Sequence, residues 1–306
     1  MVMRLFLVFY GSLAALGCSP DPAAVRDVAA YEHDIASWHA ARADRLMGAE
    51  GWLNLTGLYW LKDGANTFGS GVAEDIVLPA DRAPIHAGEF VLRDDRVTVR
   101  VSPGVEINST GLPVEELRLR DDEEGDPTIL THGTLALFAI KRMDRIGIRV
   151  RDYEHPSLAV FPGIETYPVA TTWRIVAELK PYPEPRHVAV NTVVEGLGWD
   201  PIALGVVEFE LHGERQSLEV LESGDEYFIL FADTTNGLET YPAGRFLYAE
   251  PVDKDGLTVL DFNIAYNPPC AFNDFATCPL PPRQNHLDIP IPAGEKFSEA
   301  LHVPAI

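Results

Sequence analysis

The sequence lacks the short motifs that announce most enzyme classes. It has no GxSxG elbow, no HExxH, no phosphate-binding glycine loop, no GxGxxG and no CxxC. These absences remove the usual signals of serine hydrolases, zincins, nucleotide-binding enzymes and thiol oxidoreductases. The nine histidines are scattered, with no two at a ligand-pair spacing, so the sequence predicts no metal and no cofactor. Whether the protein is an enzyme stays open.

Positive charge is also scarce. Lys and Arg total 24 against 46 Asp and Glu, which gives a formal net charge of −22. A surface this acidic repels polyphosphate backbones and anionic lipid surfaces. The sequence therefore predicts no nucleic-acid partner, and it predicts membrane contact only through an N-terminal lipid anchor.

The N-terminus reads as an export signal. One Arg, an apolar run, small residues and a cysteine follow each other in MVMRLFLVFYGSLAALGCS, and the run is too short for a permanent membrane span. Gly17-Cys18 resembles a bacterial lipoprotein cleavage site, with Cys18 as the lipidated residue. We expect a signal peptide at 1–17 and an outer-membrane lipoprotein facing the periplasm, the alternative being a plain secretory peptide and a secreted protein.

Two further cysteines, Cys270 and Cys278, complete the set of three. With Cys18 lipidated, they form an even pair in an oxidising compartment, which favours a disulfide. They lie in a segment dense in Pro, Asn and aromatic residues, 261–285, which we call the clasp.

Hydrophobic periodicity predicts a mostly β protein. Apolar residues at helical spacing, after Asp21-Pro22 and before Gly48, predict one amphipathic helix over 22–46. Beyond it, period-two alternation at 97–101, 146–150 and 207–211 predicts antiparallel strands between turn signals. The expected fold class is all-β, with lipid attachment and a helix at 18–49, a sandwich at 50–155, and a β-barrel or second sandwich at 156–306.

The first β module resembles a forkhead-associated sandwich. The resemblance lies in GSGVAEDIVLPADRAPIHAGEFVLRDDRVTV at 69–99 and INSTGLPV at 107–114. Such domains read phosphothreonine through Gly-Arg, Ser-x-x-His and Asn. Here Ser70 follows Gly69, Ala83 replaces the Ser, and His86 and Asn108 remain, so the resemblance implies the fold without phosphopeptide binding.

Ordered motifs in the rest of the chain are similar to the bacterial family called domain of unknown function 1684. They are WLNLTGLYWL at 52–61, TYPAGR at 240–245, DFNIAYNPPC at 261–270 and CPLPP at 278–282. The resemblance covers most of the chain after residue 38. It implies a shared fold and a shared site, and the family brings no established reaction.

Three charged residues, Arg245, Asp233 and Asp261, lie in apolar strand contexts. Because buried charge is costly unless paired, we expect them to form an Arg–carboxylate cluster. A structural interpretation has the cluster lock the Pro-rich return segment onto the sheet. Alternatively, Arg245 holds an anionic ligand, or Asp261 or Asp233 acts as a general base.

The sequence therefore favours a small-molecule binding or accessory module whose pocket lies in the second β module, for a small, anionic envelope molecule. A hydrolase using Asp carboxylates and a purely structural lipoprotein are the alternatives. The residues predicted to bind the ligand are Arg245, Asp233, Asp261, Asn263, Tyr266, Asn267 and Asn285.

Overall fold

The structure, a computed structural model, describes residues 22–299. Helix α1 (Val28–Met47) ends at Gly48 as predicted, but it begins later than residue 22. Asp27 is its N-cap, and the Asp27 side chain accepts a hydrogen bond of 3.1 Å from the Ala30 amide. A side-chain acceptor at this position satisfies one of the free amides of the first turn. The Asp21-Pro22 signal therefore does not start the helix.

The strands of the first module follow α1. They are β1 (Leu55–Trp60), β2 (Gly64–Gly69), β3 (Ile76–Val77), β4 (Gly88–Arg93), β5 (Arg96–Val101), β6 (Asn108–Ser109), β7 (Leu112–Pro113), β8 (Glu116–Leu119), β9 (Leu130–His132), β10 (Leu135–Arg142) and β11 (Arg145–Asp152). One sheet has the order β1-β11-β10-β9-β6-β7 and the other β3-β2-β4-β5-β8, antiparallel apart from the short β2/β3 pair. The predicted turn at Asp94-Asp95 has positive φ at both residues, which suits a two-residue hairpin turn.

These two sheets form a sandwich. Alternate residues of both sheets point inward and make one apolar core, which includes Phe68, Phe90, Val99, Leu137 and Ile148. The period-two patterns at 97–101 and 146–150 belong to β5 and β11, so both predicted strands are confirmed. Strand β5 is half-buried as predicted, whereas β11 is buried on both faces over 146–150.

A short helix, α2 (Ser157–Val160), leads to the second module. Its strands are β12 (Arg174–His187), β13 (Val190–Asn191), β14 (Gly198–Trp199), β15 (Ile202–Leu211), β16 (Glu214–Ser223), β17 (Glu226–Phe231), β18 (Arg245–Ala249) and β19 (Leu257–Asp261). Six of them form one antiparallel sheet, β18-β17-β16-β15-β12-β19, and β13 pairs with β14. Single 3₁₀ turns occupy Thr171–Trp173, Phe262–Ile264, Pro269–Ala271 and Arg283–Asn285.

The six-stranded sheet curls into a half-barrel. Its edge strands β18 and β19 approach each other, and Tyr266, just after β19, exchanges two backbone hydrogen bonds with Phe246 of β18. The mostly β fold, with one N-terminal helix and antiparallel modules, is thus the predicted fold class.

Helix α1 lies against this half-barrel through polar contacts. The Tyr31 hydroxyl donates to the Asp261 carboxylate at 2.8 Å, and His39 Nε2 lies 2.8 Å from the Asn263 carbonyl oxygen. Arg42 forms an ion pair of 2.7 Å with the wholly buried side chain of Glu295. The helix is therefore fixed to the second module by at least three separate ties.

Candidate functional site

The clasp, residues 261–285, covers the outer face of the half-barrel. Cys270, Ala276 and Cys278 pack on Phe228 and Phe246 of β17 and β18. Pro281 lies so close to Gly244 that any Cβ at residue 244 would collide with the proline ring and with the Phe231 carbonyl oxygen. Gly244 also has φ +89, which glycine adopts without strain.

Arg245, the predicted centre of the ligand site, is a structural residue in this geometry. Its side chain has no exposed surface and forms an ion pair of 2.7 Å with the equally buried Asp233. It also donates to the carbonyl oxygens of Ile291 and Ala293, in the Pro-rich segment 286–296 that follows the clasp and that we call the return segment. Asp233 in turn accepts hydrogen bonds from the amide and hydroxyl of Thr235. The pair thus locks the return segment, as the structural interpretation predicted, and leaves no surface for a ligand.

Asp261 does not join that pair. It lies 3.7 Å from Arg174 and accepts the hydrogen bond of Tyr31, so the predicted three-residue cluster is divided between two places. Burial, with help from the hydrogen bond to Asp261, raises the pKa of Tyr31. The hydroxyl of Tyr31 therefore remains a proton donor to the carboxylate at physiological pH.

The asparagines that were predicted to bind the ligand instead form hydrogen bonds within the protein. Asn263 exchanges hydrogen bonds with the backbone of Ala170, and Asn285 holds the backbone of Glu219 and Leu230. The Asn267 amide nitrogen donates to the Lys296 carbonyl oxygen, while its side-chain oxygen has no partner among the described residues. These side chains hold the clasp and the return segment in place.

Tyr266 and Asp261 line a cavity of about 430 Å³ where α1 crosses the gap between β18 and β19. We call this the seam cavity. The Arg42 guanidinium lies 4.4 Å from the Tyr266 ring centroid and already donates to Glu295 and to the Asn267 carbonyl oxygen. The cation nearest the ring is therefore committed to structural contacts.

A second cavity, of about 420 Å³, lies between the two modules, and we call it the inter-module cleft. Side chains from the first module, from β14, β17 and β18, and from the clasp line it. They include Trp52, Arg149, Trp199, Phe228, Phe246 and Cys278. An apolar cavity with one or few polar groups converging on it is the usual form of a small-molecule site.

Arg149 is the polar group that distinguishes this cleft. It is only 5% exposed, and among the described residues it forms no ion pair. Nη2 donates a long hydrogen bond of 3.4 Å to Thr277 Oγ1, Nε has no partner, and the guanidinium lies 5.2 Å from the Trp52 ring centroid. Burial, followed by the nearby Arg142, lowers the pKa of Arg149 to about 10. The group is still charged at neutral pH, and a buried charge without a counter-ion is costly.

The position of Arg149 follows from the alternation of β11. Ile146, Ile148 and Val150 face the sandwich core, so Arg145, Arg149 and Arg151 share the opposite face. There each guanidinium lies over an aromatic ring: Arg145 lies 4.3 Å from the Trp60 centroid and Arg151 lies 5.4 Å from that of Phe138. The sequence prediction missed Arg149 because arginines on the outer face of a strand are expected to be solvated, and here the clasp covers one of them.

Neighbouring Arg142, which also lines the cleft, differs from Arg149 in being paired. Its Nη1 lies 2.8 Å from Asp122 Oδ2, and both side chains are partly exposed. The charge of Arg142 is therefore balanced by a carboxylate, and the acidic Glu123 also lines the cleft, whereas Arg149 forms no ion pair among the described residues.

Cys270 and Cys278 lie side by side but are free thiols in this structure, so the predicted disulfide bond is not formed in it. The Cys270 amide donates to Cys278 Sγ at 3.1 Å. The two cysteines are therefore neighbours, whereas the disulfide between them stays a prediction.

Other predicted positions give no assembled site. In the forkhead-associated-like module, His86 Nδ1 lies 3.1 Å from a Glu74 carboxylate oxygen, an acidic neighbour that would repel a phosphate. Between residues 22 and 299, no three His, Cys, Asp or Glu side chains are grouped as a metal site requires. The predicted signal peptide at 1–17 and the predicted lipidation site Cys18 lie outside the described residues. Among the described residues, no helix is long and apolar enough to cross a membrane.

The second module matches a known protein family. Residues 159–296 match the model of a family described as "Protein of unknown function (DUF1684)". This match confirms the predicted family for that part of the chain. The motif at 52–61, in the first module, lies outside the matched range. No curated protein matches the chain.

Solved structures give weaker likenesses. An uncharacterised protein of Haloarcula marismortui is 27% identical, covers 45% of this chain and 78% of its own, and has a TM-score of 0.39. The FHA domain of FhaA, solved with the intracellular domain of Rv3910, is 17% identical over 31% of this chain and 97% of its own, with a TM-score of 0.23. Forkhead-associated domains are thus among the similar structures, as predicted, and at such TM-scores they carry no argument about ligands.

Proposed function

We propose that this protein binds a small organic anion with an aromatic or otherwise apolar body in the inter-module cleft. The observation that carries the proposal is Arg149, a charged side chain 5% exposed whose Nε has no partner among the residues that the structure describes. A carboxylate accepting from Nε and one Nη would supply the missing counter-ion in a two-hydrogen-bond geometry. This proposal retains the anionic ligand that the sequence predicted, and it assigns the binding of that ligand to Arg149 instead of Arg245.

The walls of the cleft support an apolar body for this ligand. Trp52, Trp199, Phe228 and Phe246 line it, and Trp199 and Phe228 meet edge to face at 6.2 Å. Aromatic side chains supply large apolar contact area and prefer edge-to-face or offset contacts with other rings. An aryl carboxylate fits both features of the cleft.

The proposal also includes the location of the protein in the cell envelope. The signal-peptide pattern at 1–17 and the lipoprotein-like Gly17-Cys18 support an envelope protein, anchored to the outer membrane through lipid on Cys18 or secreted. In that oxidising compartment we further propose that Cys270 and Cys278, already adjacent, become a disulfide.

The test is calorimetric titration of the purified protein with naphthoate and with its neutral analogue naphthamide. We expect naphthoate to bind, naphthamide to bind more weakly, and Arg149→Met to lower naphthoate affinity by about tenfold or more. Arg145→Met is the matched control, because Arg145 shares the strand face but stacks on Trp60. Equal binding to Arg149→Met and to the unaltered protein would contradict the proposal.

A purely structural lipoprotein is the second candidate, favoured by the wholly buried Arg245 and Asp233 pair. The hydrolase candidate has less support. Asp233 is enclosed, and the buried Ser157 hydroxyl, 2.6 Å from His155 Nδ1, donates its proton to the Leu53 carbonyl oxygen. That serine is therefore not poised to give its proton to the histidine.

A further inference from the structure

Two thiols meet in the wall of the inter-module cleft. Cys278 lines the cleft directly, between Thr277 and Pro279, and Cys270 lies behind it. Thr277 is the only hydrogen-bond partner of the Arg149 side chain among the described residues. The cleft thus places a two-electron reductant beside an unpaired cation.

We propose that Cys278 and Cys270, in their reduced form, exchange with a small disulfide carrying a carboxylate, which Arg149 holds in the cleft, and that this exchange forms the Cys270–Cys278 disulfide proposed above. This inference rests on the proposed function, since it uses the same anion site and names the substrate class. It adds an activity, thiol–disulfide exchange, for which the sequence has no CxxC signal.

The exchange balances in two steps. The Cys278 thiolate attacks one sulfur of the substrate R–S–S–R, which forms a mixed disulfide and releases one R–S⁻. The Cys270 sulfur then attacks the Cys278 sulfur, closing the Cys270–Cys278 disulfide and releasing the second R–S⁻. The two thiol protons leave with the two R–S⁻ groups, so the protein loses two electrons and the substrate gains them.

The surroundings give the two thiols different acidities. A hydrogen bond from the Cys278 thiol, followed by one from the Tyr241 hydroxyl, lowers the pKa of Cys270. Burial and the hydrogen bond to Cys270 raise the pKa of Cys278, and the positive charge of Arg149 opposes that rise. Cys270 is therefore the more acidic of the two sulfurs, and Cys278, which faces the cleft, attacks only after its own proton has passed to Cys270 or to solvent.

Cys278 is only 4% exposed, so reagents reach it through the cleft and not from the open surface. Arg149 can bind the carboxylate of an anionic disulfide and so hold its sulfur atoms near Cys278. A disulfide without charge cannot be held in this way. Charge selectivity in the reaction rate is consequently the property that separates this site from an ordinary buried thiol.

The test uses the full chain carrying Cys18→Ser, so that only Cys270 and Cys278 can react. The folded protein is mixed with dithiobis(nitrobenzoate), an anionic aryl disulfide, or with the neutral dithiodipyridine. We expect release of two nitrothiobenzoate groups per chain and an intact mass that shows a disulfide and no retained adduct. Cys270→Ser should release one group and keep one adduct on Cys278, and Cys278→Ser should stay unreactive while folded.

Arg149→Met should slow the reaction with the anionic disulfide by about tenfold or more, and should slow the neutral reagent much less, because only the small rise in the pKa of Cys278 affects both reagents. Arg145→Met should change neither rate. Thiols that react only after unfolding, or an equal slowing of both reagents in Arg149→Met, would overturn the exchange proposal. Naphthoate titration separates the two proposals: binding without exchange overturns the exchange alone, and absent naphthoate binding in the unaltered protein overturns the anion site.

Discussion

Two buried arginines, Arg245 and Arg149, differ in whether they have a counter-ion. Arg245 has no exposed surface and is paired with Asp233 at 2.7 Å. Arg149 is almost as buried, yet its best contact is a 3.4 Å hydrogen bond to Thr277. Burial alone therefore does not identify a binding residue. The absence of a counter-ion is what distinguishes a cation available to a ligand from one that holds the fold together.

The physical cost separates the two residues in the same way. A buried ion pair with further hydrogen bonds is strongly destabilised when one partner is removed, because the other charge is left buried alone. A buried cation that has no counter-ion carries that cost in the ligand-free protein. Mutating the two arginines should therefore change stability in opposite directions.

The largest effect is expected for Arg245→Met. Asp233 would remain buried without its cation, and the carbonyl oxygens of Ile291 and Ala293 would lose their donor. We expect the free energy of unfolding to fall by about 3–5 kcal/mol in chemical denaturation. The control is the double variant with Asp233→Leu, which should recover part of the loss. A fall below about 1 kcal/mol would contradict the structural role of Arg245.

An intermediate effect is expected for Arg151→Met, on the same strand as Arg149. Arg151 Nη1 donates to Asn54 Oδ1 at 2.7 Å and to the Gly51 carbonyl oxygen. Hydrogen bonds to charged groups contribute about 1.5–3 kcal/mol, so the loss in unfolding free energy should lie in that range. A loss as large as that of Arg245→Met would contradict this comparison, because within residues 22–299 Arg151 has no carboxylate partner that its removal would leave unpaired.

A smaller effect is expected from pH. The pKa of Arg149 is lowered to about 10 by burial, so its proton is present in folded and unfolded protein at neutral pH. As pH rises through about 10, the folded state loses the proton first, and stability relative to Arg149→Met should rise. Naphthoate affinity should fall over the same pH range. Flat profiles in both titration calorimetry and denaturation would contradict the assignment.

Much of the fold follows from local patterns. The alternation in β5, β11 and β15 and the turn at Asp94-Asp95 identify strands and hairpins, because side-chain period and turn geometry are local properties. The predicted start of α1 was wrong, since two aspartates precede the helix and the one that caps it is Asp27, through a local hydrogen bond from the Ala30 amide. A single sequence offers no means to choose between them.

The site was predictable only in part. Arg245 and Asp233 were expected to pair because charge in an apolar strand requires a partner, and the structure pairs them. Asp261 went instead to Arg174 and Tyr31, which depends on where α1 docks. Arg149 lies 128 positions from Thr277, so nothing near it in sequence reports that the clasp buries it.

The most direct measurement is chemical denaturation of the unaltered protein and of Arg149→Met, each with and without saturating naphthoate. Without naphthoate, the variant should be as stable as the unaltered protein or more stable, because an unpaired buried charge has been removed. With naphthoate, only the unaltered protein should gain stability, since a ligand stabilises the state that binds it. A variant that is less stable alone and is stabilised equally by naphthoate would contradict the assignment of Arg149 as the ligand-binding cation.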